Sequence, residues 1–306
     1  MLGLAYFLAA SVAWAGPITV VTTIPDLAAI TTAIGGDLVR VETIDRGLQD
    51  PHFVDPKPSL LLKLSRADVL VEVGLELEVG WMPSLLRSAR NRKILPGQPG
   101  FVDASRGLHV LEKPEGQVSR AEGDVHPYGN PHYWLDPANG EVIANNIEQA
   151  LSRVDPGHAE QYARGRDAFI AKLKDKIVEW EDRMKPYRGT ECVSYHRSWI
   201  YFAERFGLVS KAEIEPKPGI PPAPGHTLDV IRTIKERNIP LIIEESFFDS
   251  STARDIAGKT GATFLELPCM VGGAKGINDN FDLFDYLTIR IADSLASRGI
   301  KEGATR

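Results

Sequence analysis

The sequence predicts an α/β protein of two lobes, each a mainly parallel sheet flanked by helices, joined by one long backbone helix. Three observations predict it. Short β-rich runs alternate with helical ones, which argues for βα units and a parallel sheet covered on both faces. The alternation occurs twice, and the longest helical pattern of the chain lies between the two sets. The 306 residues are enough for two ordinary domains or one large one.

Taken in order, Leu2 to Ala15 is an uncharged apolar run ending in Ala13-Trp14-Ala15. That is an A-x-A cleavage pattern behind an apolar stretch too short to anchor in a bilayer, so residues 1–15 are expected to be a removed signal peptide. The basic segment that normally precedes such a run is missing, which suggests that the true start lies upstream. No cysteine follows the cleavage site, so lipid attachment there is not expected. The product should be a soluble periplasmic protein.

From residue 16 to 153 the strand candidates are Ile18 to Thr23, Leu38 to Ile44, Val69 to Val73 and Lys93 to Leu95. Helices are expected at Pro58 to Arg66 and Val79 to Arg90, the first opening on a proline whose missing N–H would be unpaired there anyway. Glu112 to Gly129 is polar, with several Gly and Pro residues, and reads as a surface loop. Asp155-Pro156 then supplies an N-cap and a first-turn residue for the long helix, placed at 154–187. Its apolar positions Tyr162, Phe169, Leu173, Ile177, Trp180 and Met184 recur at helical spacing on one stripe. A helix of that length reads as a rigid spine between the lobes.

Residues 188–306 repeat the pattern. Strands are expected at Glu191 to Tyr195, Leu208 to Ile214, Leu241 to Glu245 and Thr263 to Leu267, and helices at Ser198 to Phe206, Thr227 to Arg237, Ser251 to Thr260 and Phe281 to Ser297. The proline-rich run from Glu215 to Pro224 has the length of a stiff loop within the lobe. Cys192 and Cys269 fall at opposite ends of their strands, beyond the roughly 7 Å Cα limit for bridging, which argues against a disulfide.

Hydrophobic residues make up 43% and charged ones 25%, the balance of a water-soluble globular chain. With a formal net charge of −6 and no basic cluster, neither nucleic acid nor an anionic membrane surface is indicated as partner.

Three segments carry the chemistry: Asp50-Pro51-His52-Phe53-Val54-Asp55-Pro56, Asn130-Pro131-His132-Tyr133-Trp134-Leu135-Asp136-Pro137 and Ser194-Tyr195-His196-Arg197-Ser198-Trp199. Each places a single histidine at the end of a probable strand or in the loop after it. One histidine beside aromatics is more often a packed, hydrogen-bonded residue than a ligand, but three at strand ends suit the place where open α/β sheets bind ligands. His109, in an apolar strand-like run, and His226, just before a helix, read as structural. His126 reads as a solvated loop residue rather than a permanent ligand.

These segments, in this order, resemble the metal-specific solute-binding proteins of bacterial ABC transporters, the zinc and manganese receptors, over residues 17 to 298. The resemblance implies that His52 and His132 from the first lobe and His196 from the second ligate one metal ion. It also implies a spine helix that limits hinge motion, delivery of the ion to a membrane permease, possession of no catalytic task, and the monomeric state; a periplasmic metal chaperone is a further conceivable partner. Zinc receptors of this family often carry a long His-rich loop where this chain has only His126 and the acids Glu115, Glu122 and Asp124. The family's fourth ligand is usually an Asp after the last strand, but Leu265 to Gly273 holds none. Glu245, ending an otherwise apolar strand and matching the Glu of a V-E-S-S-like segment, is the chosen fourth ligand, with Glu244, Cys269 or water as alternatives. Glu244 and Glu245 face opposite ways in a strand, so at most one points at the site.

Three imidazoles with one carboxylate or water form the nitrogen-rich, near-tetrahedral set that Zn²⁺ accepts, whereas Mn²⁺ prefers more oxygen. Zinc is therefore the expected cargo, with manganese or another transition metal as the alternative. A secreted zinc hydrolase is the rival from another class, since three histidines and an open position also describe catalytic zinc. No H-E-x-x-H segment is present to support it.

Overall fold

The structure is a computed structural model and describes residues 16–116, 126–217 and 219–300. The expected signal peptide and the acids Glu122 and Asp124 lie outside the described residues. Two four-stranded sheets form, every pairing in them parallel. The first comprises β1 (Ile18–Thr22), β2 (Val39–Thr43), β3 (Val69–Glu72) and β4 (Phe101–Asp103) in the order β2-β1-β3-β4. The second comprises β5 (Glu191–Ser194), β6 (Val209–Glu213), β7 (Leu241–Glu245) and β8 (Thr263–Leu267) in the order β6-β5-β7-β8. The winding is the same in both: the chain steps one way from its first strand, then returns to the other side. Such a reversal opens a crevice at the carboxyl ends of the strands.

The helices are α1 (Pro25–Gly35), α2 (Pro58–Arg66), α3 (Met82–Ala89), α4 (Asn139–Val154), α5 (Ala159–Met184), α6 (Ile200–Phe206), α7 (Pro224–Arg237), α8 (Ser251–Thr260) and α9 (Asn280–Ser297). No described helix is long and apolar enough to cross a membrane. Pro25, Pro58 and Pro224 each open a helix, where a missing N–H costs nothing.

One expected strand is not there. Lys93 to Leu95 lies in a short 3₁₀ turn, Arg92–Ile94, capped by Asn91 Oδ1 accepting from the Lys93 N–H at 3.1 Å. The fourth strand is Phe101–Asp103, after Pro96-Gly97-Gln98-Pro99-Gly100 has turned the chain. Three residues are too few to show a period in sequence. His109 is exposed and in no strand.

Each sheet is covered on both faces. One continuous core runs beneath both inner faces and includes Val20, Val71, Tyr133, Trp180, Phe206, Ile243 and Leu287. Separate clusters cover the outer faces, around Leu64, Leu70 and Leu85 in the first sheet and around Val193, Ile234 and Ile256 in the second. Helix α5 runs along the shared core for 26 residues, about 39 Å at 1.5 Å per residue. Tyr162, Phe169, Leu173, Trp180 and Met184 are its buried stripe, and Ile177 packs at its margin. It touches α1 and α4 on one side of the molecule and α6 and α9 on the other, so the spine belongs to both halves. Gly165 permits the close crossing with α1: a Cβ there would stand 2.1 Å from the Ile34 carbonyl oxygen.

Polar bonds also cross between the halves. Trp134 Nε1 donates to the Cys269 carbonyl at 2.8 Å, and the Val271 N–H donates to Asp26 Oδ2 at 3.2 Å. Arg205 grips Asp136 through two nitrogens at 2.7 and 2.9 Å, the paired geometry that adds direction to charge. Cys192 and Cys269 are both buried free thiols.

Candidate metal centre

The crevice between the sheets holds the three histidines. His52 follows β2, His196 follows β5, and His132 stands at the entrance of a 3₁₀ turn, Tyr133–Leu135, whose side chains are all buried. Their rings form a nearly equilateral triangle with centroids 5.1, 5.1 and 5.5 Å apart. One ligand nitrogen from each lies within 4.8 Å of the others, and the three residues are only 4–7% exposed.

What aims them is the partner of each Nδ1. In Asp50-Pro51-His52, Asp50 Oδ1 accepts from both the His52 backbone N–H at 2.9 Å and its Nδ1 at 2.7 Å. Asn130-Pro131-His132 repeats the device, with Asn130 Oδ1 accepting at 3.0 and 2.9 Å. The proline fixes φ at the intervening position, and in the first segment the Phe53 N–H donates to the Asp50 carbonyl at 3.0 Å, closing the turn in which the first side chain folds back on the third. His196 uses a distant residue, donating from Nδ1 to Glu215 Oε2 at 2.7 Å. With every Nδ1 occupied as a donor, the three Nε2 atoms remain as lone-pair donors for a cation, which is how metal-binding imidazoles are oriented.

The second lobe is tied to this arrangement through Asn130. Its amide nitrogen donates to the Arg197 carbonyl at 2.9 Å and to Glu112 Oε2 at 3.1 Å, while Glu112 pairs with Arg197 at 2.6 Å. Tyr201 completes the seam by donating to the Asn130 carbonyl at 2.8 Å and accepting from the Leu111 N–H at 3.0 Å.

Electrostatically, the centre is prepared for a positive guest. Burial, followed by repulsion from the neighbouring imidazoles, pushes His132 well below the usual histidine range, so its ring stays neutral. Burial would raise Asp50, but the hydrogen bond and charge of His52 outweigh it and hold the carboxyl below its usual range.

Glu245, the acid singled out in sequence, is fully buried at the end of β7 but is not a member of the 4.8 Å group. Its Oε1 accepts from Ser198 Oγ and its Oε2 has no hydrogen-bond partner. Burial raises its pKa to about 8, with the carboxylates of Glu215 and Asp50 adding to the effect, so it holds a proton at neutral pH. Glu244 is buried beside it with neither carboxylate oxygen hydrogen-bonded, and burial, then repulsion from Glu245 and Glu266, raises its pKa to about 8. Cys269 is buried, and burial raises its thiol well above the usual range, so it is no ready thiolate.

His126 departs from the sequence expectation. It is half-buried, and its Nε2 lies 3.1 Å from His52 Nε2, with ring centroids 5.2 Å apart. Burial, then repulsion from His52 and His196, lowers its pKa to about 3. The signal was the short return to the His132 motif. The Gly129 N–H donates to the His126 carbonyl at 3.1 Å, and Gly129 has φ +104° where a Cβ would meet Val110 Cγ1 at 2.5 Å. A glycine there closes the turn that brings His126 back to the site.

Comparison with known proteins gives the family. Residues 20–293 match the family described as zinc-uptake complex component A, periplasmic, or ZnuA. The iron-binding protein YfeA of Yersinia pestis is 29% identical over 251 residues, covering 80% of this chain and 75% of the relative. The manganese ABC transporter substrate-binding lipoprotein PsaA of Streptococcus pneumoniae is 27% identical over 286 residues, covering 90% and 89%. A crystal structure of ZnuA superposes with a TM-score of 0.76 at 28% identity, over 91% of this chain and 99% of that one. With nearly its whole folded length matched and its histidines gathered where the two sheets meet, the chain belongs to the ZnuA family of periplasmic metal-receptor components of ABC transporters.

Proposed function

We propose that the cargo of this receptor is Zn²⁺, held by Nε2 of His52, His132 and His196 and released to a membrane permease for uptake. The observation that carries this reading is the common orientation of three buried imidazoles, each with Nδ1 committed to a side-chain oxygen. Three neutral nitrogen donors favour zinc over manganese, which takes more oxygen. The relatives bear zinc, manganese and iron names, so the choice rests on this donor set. Family membership sets the hydrolase aside, since the relatives are transport receptors, and this supports reading the histidines as carriers of an ion.

Two carboxylates, Asp50 and Glu215, stand behind the imidazoles. Their two negative charges balance a divalent ion without touching it. Cargo bound this way is released when lobe or loop shifts pull any one nitrogen out of reach, since zinc bonds imidazole at about 2.0–2.1 Å. The test is competition: metal-stripped protein offered equimolar Zn²⁺ and Mn²⁺ should retain one zinc per chain. Retention of manganese in preference would overturn the assignment.

A further inference from the structure

The reading above leaves one histidine unused. His126 faces His52 nitrogen to nitrogen at 3.1 Å. In a tetrahedral zinc site with bonds of 2.0–2.1 Å, ligand nitrogens stand about 3.3 Å apart, so His52 and His126 already have the spacing of two ligands on one ion.

The donor count points the same way. His52 uses its N–H toward Asp50, so its Nε2 is a bare lone pair when the ring is neutral. The backbone carbonyls of Leu75 and Glu76 lie beside the His126 ring. These carbonyls come from a strained turn: Gly74, Leu75 and Glu76 have φ of 81°, 54° and 66° in succession, a left-handed conformation that non-glycine residues rarely adopt. The turn is held by Glu78, whose carboxylate accepts from the Val73 and Gly74 N–H groups at 2.7 and 3.1 Å. His126 therefore has the His52 lone pair facing its Nε2 and backbone carbonyls beside its ring, and a neutral imidazole has one N–H to give. A cation at Nε2 removes the conflict, because both Nε2 lone pairs then point at the metal while the remaining N–H meets a carbonyl.

We infer that His126 is the fourth ligand, closing a shell of four imidazoles around the cargo ion in the position for which the sequence had suggested Glu245. This rests on the three-histidine reading and deepens it. His126 lies beyond the tight group of three, so the other rings must draw in toward the His52–His126 edge as the ion binds. An all-nitrogen shell sharpens the preference for zinc over manganese.

The experiment is zinc-edge X-ray absorption on the full chain carrying one equivalent of Zn²⁺, in which imidazole scattering counts the histidines. The expected count is four for wild type, three for His126→Ala and His126→Gln, and four for Glu245→Gln. The His126 variants should bind Zn²⁺ at least about tenfold more weakly, lose part of their preference over Mn²⁺, and melt like wild type when metal-free. A wild-type shell of three imidazoles and an oxygen, or an unchanged count in both His126 variants, overturns the inference and leaves the three-histidine site standing. If His52→Ala and His132→Ala still bind one zinc as tightly as wild type, the underlying reading itself has failed.

Discussion

His196 and Glu215 are 19 residues apart in sequence, yet His196 Nδ1 donates to Glu215 Oε2 at 2.7 Å across the carboxyl ends of β5 and β6. Both side chains are buried, and Glu215 is the first residue of the proline-rich loop. The loop's stiffness thus serves a purpose in the site: it holds the acceptor that aims one imidazole.

Replacing such an acceptor should cost metal affinity more than stability. For Glu215→Ala we expect zinc binding weaker by about 10–100-fold, the usual penalty for losing the partner of a ligating histidine. Titration of zinc against a competing chelator measures it. An affinity within twofold of wild type would show that His196 needs no fixed orientation.

Zinc should stabilise the fold strongly. At free Zn²⁺ about 1,000-fold above the dissociation constant, linkage adds about 4 kcal/mol, roughly 8–16 °C in melting temperature for a domain of this size class. Calorimetry of stripped and reloaded protein gives the shift, and Mn²⁺ at equal concentration should give a smaller one. Equal shifts for the two metals would remove the nitrogen-donor argument.

Glu245 sets a pH dependence. The folded chain holds its proton to about pH 8, whereas the ordinary glutamate value is 4.5. The folded state therefore binds more protons between those values, so the stability linked to this group is complete below 4.5 and is lost as pH rises through 8. Metal-free wild type should lose more melting temperature between pH 5 and pH 8 than Glu245→Gln does, since glutamine cannot ionise. Asp26, raised to about 8 by burial, contributes the same trend in both proteins and cancels, whereas Glu244, raised to about 8 by burial and then by Glu245, is relieved in the variant, so the difference between the curves reports Glu245 together with its effect on Glu244. Parallel curves would mean that Glu245 is solvated or already charged.

The spine depends on Trp180. Its ring is fully buried against Phe281 and Phe284, and its Nε1 donates to Asp285 Oδ1 at 2.8 Å, joining α5 to α9. Trp180→Ala should cost about 3–5 kcal/mol through the cavity it leaves, read in denaturant unfolding of the metal-free chain. Because the proposed metal site lies at the strand ends, zinc stoichiometry below the transition should remain one. Loss of stoichiometric binding in the folded variant would show that α5 positions the site directly.

Much of this protein is legible in the chain because its signals are local. Helix α2 and the strands β7 and β8 fall where alternation and turn residues put them, since period and punctuation both lie within a few residues. The Asp-Pro-His and Asn-Pro-His segments contain both proposed ligand and orienting acceptor, two positions apart, so their chemistry can be read without a fold. Strand β4 escaped, being three residues long behind a proline-glycine turn.

The sequence by itself therefore determined the two α/β halves, the spine helix and the candidate trio of histidines, because covalent neighbours decide helix starts, strand periods and the local clamp on His52 and His132. Only the tertiary structure decided what surrounds them. Packing two sheets on one core put Glu215 behind His196, buried Glu245 until it kept its proton, and turned His126 toward His52. Those outcomes depend on desolvation and on contacts between segments remote in sequence, which no local pattern records.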